Sequence, residues 1–183
     1  MVIESLQSAR KRGAKIYAEI LDGSIISGAQ RNGGTMTMNS RKSMEDVIEF
    51  ALSKSQISAR DIDLISGHLP SYIMDVYEVE AWAKVLKRTG EDFPYINALK
   101  SMTGHCFAAS SSMELVASAL QLHHQFIHPS VNSAALHPQI ESIIARKKIP
   151  LKALKKKINI IAKTAFGFGD VASCIVLKKW EDA

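Results

Sequence analysis

Residues 100–115 read KSMTGHCFAASSSMEL. A lysine and a histidine stand five residues apart around a small, glycine-containing turn. The apolar helix that follows carries one acid, Glu114. An unpaired carboxylate one turn into such a helix is costly, so Glu114 requires a cation. Lys100, fourteen residues back, supplies it. A buried Lys100–Glu114 pair explains both residues and fixes the turn between them, although such pairs often add little net stability.

Outward from this stretch the chain alternates strands with helices. FPYINAL (93–99) reads as a strand delivering the chain to Lys100, and DIDLISGH (61–68) as a short buried strand running into a turn that carries His68. Helices are predicted over SMEDVIEFALSKS (43–55), with Ser43 as its cap, and from Met74 to Lys87. Ser110 to His124 reads as a helix whose apolar side runs through Met113, Val116, Ala117 and Leu120. INIIAKTAF (158–166) and ASCIVLKKW (172–180) are strands around a glycine turn, and KIYAEIL (15–21) alternates as another. Residues 2–11 read as the end of one element and a short basic helix stopped at Gly13, and residues 23–40 as a Gly/Ser/Asn-rich loop. This order predicts a layered α/β fold with a mostly parallel sheet. Sites in such sheets gather at the carboxyl ends of the strands. His68, Lys100, His105 and the FGFG turn (166–169) therefore share one face.

Singly, His68 reads as a turn histidine, Lys100 as a surface charge and His105 as a residue at a helix start. Together they form equipment for carbonyl chemistry. Two neutral histidines donate ring N–H bonds to a developing enolate or oxyanion. The glycines of FGFG admit backbone amides to the same oxygen. The set lacks a clear nucleophile.

A chain of 183 residues fits one domain or two small ones, and 46% hydrophobic with 22% charged residues matches a soluble globular protein. No apolar run approaches the roughly 20 residues of a membrane span, and the N-terminal residues lack a secretory signal, so a cytoplasmic protein is expected. Two cysteines exclude a disulfide framework or a four-cysteine zinc site, and the six histidines lack metal-ligand spacing, so no metal is expected. Residues 145–157 hold seven cations and no acid. They read as a solvated loop or short helix, or as a landing surface for an acidic partner. Without aromatic residues or a recognised motif, nucleic acid is not expected there.

These residues resemble the C-terminal half of the β-ketoacyl-acyl-carrier-protein synthases, the condensing enzymes of the thiolase fold. SARKRGAKIYAEI (8–20) is similar to the family's HAxARGAxIYAEI segment, and DIDLISGH to its strand ending in the first catalytic histidine. KSMTGH matches the second histidine motif at every position. Glu114 falls where the lysine-paired glutamate sits, and KTAFGFGD (163–170) matches the NSFGFGG turn apart from its flanking residues. The resemblance implies a thiolase-like half, layered α/β/α with a five-stranded mixed sheet. Residues 1–13 would be the remnant of the N-terminal half and residues 14–183 the ketoacyl synthase C-terminal domain.

The implied reaction is a decarboxylating Claisen condensation between an acyl-enzyme and malonyl-carrier protein, in fatty acid or polyketide biosynthesis. Carried over, His68 and His105 promote decarboxylation and hold the thioester oxygen, while Lys100 with Glu114 organises the site. Phe166, Gly167, Phe168 and Gly169 form the oxyanion hole and gate, with Phe168 as gatekeeper. No metal or dissociable cofactor is implied beyond the phosphopantetheine arm of the acyl carrier protein. The family's nucleophilic cysteine lies in an N-terminal half. Cys106 and Cys174 do not occupy its position, so a partner chain carrying that cysteine is expected, as a hetero-oligomer within a family of dimers.

Three departures stand out. HLPSYIMD (68–75) replaces HGTSTPLND, one residue shorter and without the threonines that hold the pantetheine arm, though Asp75 and Glu78 keep their spacing. CFAASSS (106–112) replaces LLGAAGA, substituting Ala108 and Ser111 for glycines, and Asp170 replaces the last glycine of FGFGG. Three readings follow: a catalytic half that needs a partner, a non-catalytic structural or chain-length-setting subunit, and an inactive fragment of a split gene.

Overall fold

A five-stranded mixed sheet organises the chain, and the computed structural model describes residues 1–181 of it. The strands are β1 (Ala18–Ser27), β2 (Leu64–Ser66), β3 (Tyr95–Asn97), β6 (Ile160–Gly167) and β7 (Val171–Lys179), in the order β1-β7-β6-β2-β3. Two two-residue strands, β4 (Phe126–Ile127) and β5 (Leu154–Lys155), pair separately. The helices are α1 (Leu6–Lys11), α2 (Arg41–Ser55), α3 (Met74–Leu86), α4 (Lys100–Thr103), α5 (Ala108–His124) and α6 (Pro138–Ile143).

Four of the five strands run the same way, as the alternation of elements predicts, and β7 alone is reversed. β2 runs parallel to both β3 and β6, whereas β7 runs antiparallel to both β6 and β1. The reason is the tight turn after Gly167: a hairpin returns the chain at once, and parallel neighbours need a crossover. The predicted loop at 23–40 also begins later. Gly23 to Ser27 continue β1 and pair residue by residue with Ile175 to Val171 of β7. A long partner strand overrides the weak strand preference of glycine and serine. The α2 cap is Ser40 rather than Ser43: its side chain accepts the Ser43 N–H at 3.0 Å.

Successive residues of β6 point to opposite faces. Ile160, Ala162 and Phe166 enter the large core with Met44, Val47 and Ile48 of α2 and Val79 and Trp82 of α3. Ile161 packs on the other face with Leu122 of α5. The result is three layers, α/β/α. No helix among the described residues is long and apolar enough to cross a membrane.

Helix α5 corrects a second expectation, because the side it buries is its polar one. Ser110, Glu114, Ser118 and Gln121 are buried together with Leu122. Met113, Val116 and Leu120 lie outward, each 36–38% exposed. Hydrogen bonds make this orientation affordable. Gln121 Oε1 accepts from Asn97 Nδ2 at 2.8 Å and from the His128 N–H at 2.9 Å, and Ser118 Oγ donates to the Glu114 carbonyl at 2.8 Å. The basic run, for its part, forms a 3₁₀ turn at Arg146–Lys148 and then β5.

This inversion is testable by urea unfolding. Leu120→Gln should change the unfolding free energy by less than about 0.5 kcal/mol. Ser118→Leu, placed at a fully buried position, should cost about 1–3 kcal/mol.

Candidate active site

β2 and β3 end side by side, in register from Leu64↔Tyr95 to Ser66↔Asn97. Each chain then leaves the sheet at its carboxyl end, delivering His68 from one strand and Lys100 from the other. The N–H of Gly67 donates to the Asn97 carbonyl at 3.0 Å, which holds the two exits together.

The His68 peptide is held at both ends. Its N–H donates to Glu78 Oε1 at 2.9 Å, and the next N–H, of Leu69, to Glu78 Oε2 at 3.0 Å. Its carbonyl accepts from Lys100 Nζ at 2.6 Å. The same ammonium lies 3.3 Å from His68 Nδ1 and pairs with Glu114 Oε1. A lysine can only donate, so Nδ1 accepts and the ring proton resides on Nε2.

His68 is buried. Burial, then the charges of Lys100 and Lys163 and neighbouring His105, hold its pKa down at about 3, so the ring is neutral at pH 7. Its edge meets Phe166 at 5.7 Å and His105 at 5.5 Å between ring centroids. His105 itself is exposed. Its Nδ1 accepts the Phe107 N–H at 3.0 Å and lies 3.2 Å from Ser110 Oγ. That places its donor, like that of His68, on Nε2. Phe107 reaches this position with φ +47°, a strained backbone of the kind found at functional sites.

The structure thus brings His68, His105, Lys100, Glu114 and Phe166 together. Gly167 ends β6, and Gly169 donates its N–H to the Met36 carbonyl at 2.8 Å. Phe168, between them, is 70% exposed. Among the described residues no hydrogen bond joins either cysteine sulfur to a histidine. Cys106 is exposed, with Sγ 3.8 Å and 3.9 Å from the carbonyls of Thr103 and Gly104. Cys174 is buried, and that burial pushes its thiol up to about 12.

Three contributors escape the sequence argument. Thr164 donates its hydroxyl to Glu78 Oε1. Ser110 supports His105, and nothing in the hydroxyl run AASSS marks it. Lys163 is buried, with its ammonium 2.8 Å from Glu114 Oε2. The signal for Lys163 was available: a lone charge in the apolar strand INIIAKTAF, the same cue that singles out Glu114.

The departures from the motifs also find places. Leu69 and Ser71 take positive φ, +34° and +72°, in the shortened loop after His68. This loop borders a cavity of about 300 Å³ that reaches Lys100. Asp75 accepts the N–H groups of Ser71 and Tyr72, and burial with nearby Glu78 raises its pKa to about 6. Asp170 is fully buried with φ +61°. Its Oδ1 accepts from the Ser40 N–H at 2.9 Å and from Ser43 Oγ at 2.7 Å, tying the turn after β6 to the start of α2. Gly28 and Gly34 make room for it: a Cβ on either would lie 1.9 Å or 2.2 Å from Asp170 Oδ2.

Residues 17–134 match the family model of the β-ketoacyl synthase C-terminal domain. The chain is 31% identical to 3-oxoacyl-[acyl-carrier-protein] synthase 1 of Buchnera aphidicola, covering 98% of this chain and 41% of that protein. It is also 31% identical to the actinorhodin polyketide putative beta-ketoacyl synthase 1 of Streptomyces coelicolor, covering 100% of this chain and 38% of the other. It therefore spans about two fifths of the length of these curated relatives. A type II polyketide synthase acyl-carrier protein in complex with its ketosynthase contains a similar chain, with TM-score 0.85, 32% identity and 97% of this chain covering 42% of that one. The ishigamide ketosynthase/chain length factor gives TM-score 0.87 at 27% identity, again over 97% of this chain and 42% of that one.

Two measurements probe the site's construction. Gly34→Ala should cost about 1–3 kcal/mol by overpacking against Asp170, and Asp170→Gly should remove most of that penalty in the double variant. The second is pH dependence. Between about 6.5 and about 3 the unfolded chain binds a proton at His68 that the folded chain lacks, so stability falls with falling pH. Between about 6 and 3.8 the folded chain binds one at Asp75 that the unfolded chain lacks, so stability rises with falling pH. The two oppose each other. Asp75→Asn should steepen the loss of stability between about pH 6 and pH 4 in urea titrations.

Proposed function

The chain belongs to the β-ketoacyl synthase family, and from that membership we propose that it supplies the histidine-bearing half of a 3-oxoacyl-[acyl-carrier-protein] synthase-like condensing site. Residues 14–183 are the functional domain in this reading, and residues 1–13 continue a preceding half. The observation that carries it is the pair of edge-on rings, His68 and His105, 5.5 Å apart, with His68 kept neutral by burial and by two ammonium groups.

In the proposed reaction, malonyl-carrier protein binds with its thioester oxygen against the Nε2–H groups of His68 and His105. The bond from C2 to the carboxylate breaks, carbon dioxide leaves, and its electron pair forms an enolate whose negative oxygen the two donors stabilise. The enolate carbon then attacks an acyl thioester, forming the new C–C bond and releasing a thiolate. Neutral imidazoles suit this step because they donate without delivering a full proton. Lys100 and Glu114 hold the ring of His68. Phe166 walls it, and Phe168, on the turn beside it, supplies the gate and an oxyanion-donating amide, whereas the Gly169 N–H is taken by the Met36 carbonyl.

The acyl-accepting thiol comes, in this reading, from residues outside these 183, on the same polypeptide or on a partner. The burial of Cys174 and the direction of the Cys106 sulfur support that assignment. The outward apolar side of α5 (Met113, Val116 and Leu120), together with exposed Phe107 and Phe168, offers the surface on which the thiol-bearing half would dock. The acyl carrier protein is the second partner, through its phosphopantetheine arm.

A non-catalytic, chain-length-setting subunit is the second reading. The loop Leu69–Ser71 favours it, because that loop lacks the threonines expected to hold the arm.

Reconstitution separates the two. The 183-residue chain alone should not turn over acyl- and malonyl-carrier protein. Mixed with a ketosynthase N-terminal half bearing the cysteine, it should release carbon dioxide from malonyl-carrier protein, and His68→Ala should lower that rate about 10²–10³-fold. Turnover by the isolated chain would contradict the placement of the thiol. A stable complex without decarboxylation would favour the second reading.

A further inference from the structure

Lys163 lies in the middle of β6, between Ala162 and Thr164, and is 3% exposed. Its cross-strand neighbours, Ser66 of β2 and Ile175 of β7, carry no charge. Its ammonium reaches across to α5, 2.8 Å from Glu114 Oε2, and donates to the Thr164 carbonyl at 2.8 Å. Glu114 is 1% exposed and gives its other oxygen to Lys100. One buried carboxylate thus carries two buried ammonium groups, and burial strengthens both interactions.

We propose that Lys163 is a second positioning residue of the histidine site, acting through Glu114: it holds Oε2 so that Oε1 keeps the Lys100 ammonium aligned on the His68 carbonyl. The inference deepens the condensing reading of His68 and rests on it for its catalytic consequence, while the ion cluster itself stands on geometry. Without Lys163, Glu114 has one partner and one buried bare oxygen, and rotation of the carboxylate drags Lys100 away from His68. The second positive charge also opposes protonation of His68, alongside burial, Lys100 and His105.

The charged and titratable groups facing this cluster come from every surrounding element. They are Lys100 of α4, Glu114 of α5, Lys163 of β6, Glu78 and Asp75 of α3, Cys174 of β7, and the histidines His68, His105 and His128. Glu78 is a second buried carboxylate, held by Thr164, and meets the excess positive charge from the opposite face of the sheet.

The test is nuclear magnetic resonance of the full chain. In Lys163→Met, which keeps volume and removes charge, the titration midpoint of the His68 ring should rise by roughly one pH unit, and the Lys100 ammonium signal should shift or broaden. Lys163→Arg, which keeps the charge, should leave the His68 midpoint within a few tenths of a unit. In the reconstituted decarboxylation assay Lys163→Met should lower kcat about 10-fold with KM little changed. An unchanged His68 midpoint and Lys100 signal in Lys163→Met would overturn the proposal and reduce Lys163 to a filler of space. Should that variant fail to fold, the unmodified chain decides. A slowly exchanging Lys163 ammonium coupled to the Glu114 carboxylate is expected, and a rapidly exchanging one would overturn the proposal. Absence of activity in the unmodified, reconstituted protein would overturn the condensing reading and leave the His68 midpoint as the measure of Lys163.

Discussion

The peptide unit of His68 is held from both faces of the sheet. Glu78 of α3 takes its N–H from one side, and Lys100, backed by Glu114 of α5, takes its carbonyl from the other. Consecutive residues of β6 reinforce the two grips: Thr164 points to Glu78 and Lys163 to Glu114. The alternation of side chains along a strand makes this possible, because neighbours on one strand necessarily address opposite layers. A histidine on a three-residue strand end would otherwise sample several positions. Here its backbone, its ring nitrogen and its proton are all fixed by groups that belong to four different elements.

Such an arrangement is weak evidence for stability, since desolvating two lysines and two glutamates costs about as much as their pairing returns. What it secures is definition. Burial first, and then the cations, deny His68 a proton, and the carboxylates keep the cations in place. The neutral ring is therefore a donor through Nε2, at the carboxyl end of the parallel strands where α/β sheets place their chemistry. The hairpin after Gly167 is tied in separately. Asp170 carries it onto the N-terminus of α2, and the bare backbones of Gly28 and Gly34 leave space for its carboxylate.

Much of the layering was legible in the sequence, and the limits were physical. Alternating strands and helices predict α/β layers, but parallel and antiparallel pairing depends on which strands a short turn joins, and the Gly167–Val171 hairpin settles that locally. The periodicity of α5 gives a helix with two unlike sides without saying which side meets the sheet. Met113, Val116 and Leu120 read as core by hydrophobicity alone, while Gln121 and Ser118 won the inner face through hydrogen bonds to distant Asn97 and His128 and to the helix's own backbone. The nearness of Lys100 and Glu114 followed from the cost of a lone acid in an apolar helix. The same cost, applied to Lys163 in an apolar strand, leads to the second cation. Ser110 had no such signal, because a hydroxyl is cheap to leave anywhere.

The structure fixes His68 as a neutral ring whose proton sits on Nε2. Nitrogen-15 chemical shifts of the His68 imidazole at pH 5, well below the ordinary histidine midpoint, test this most directly. An unprotonated Nδ1 and a protonated Nε2 are expected. An imidazolium signature, or a neutral ring carrying its proton on Nδ1, would contradict it.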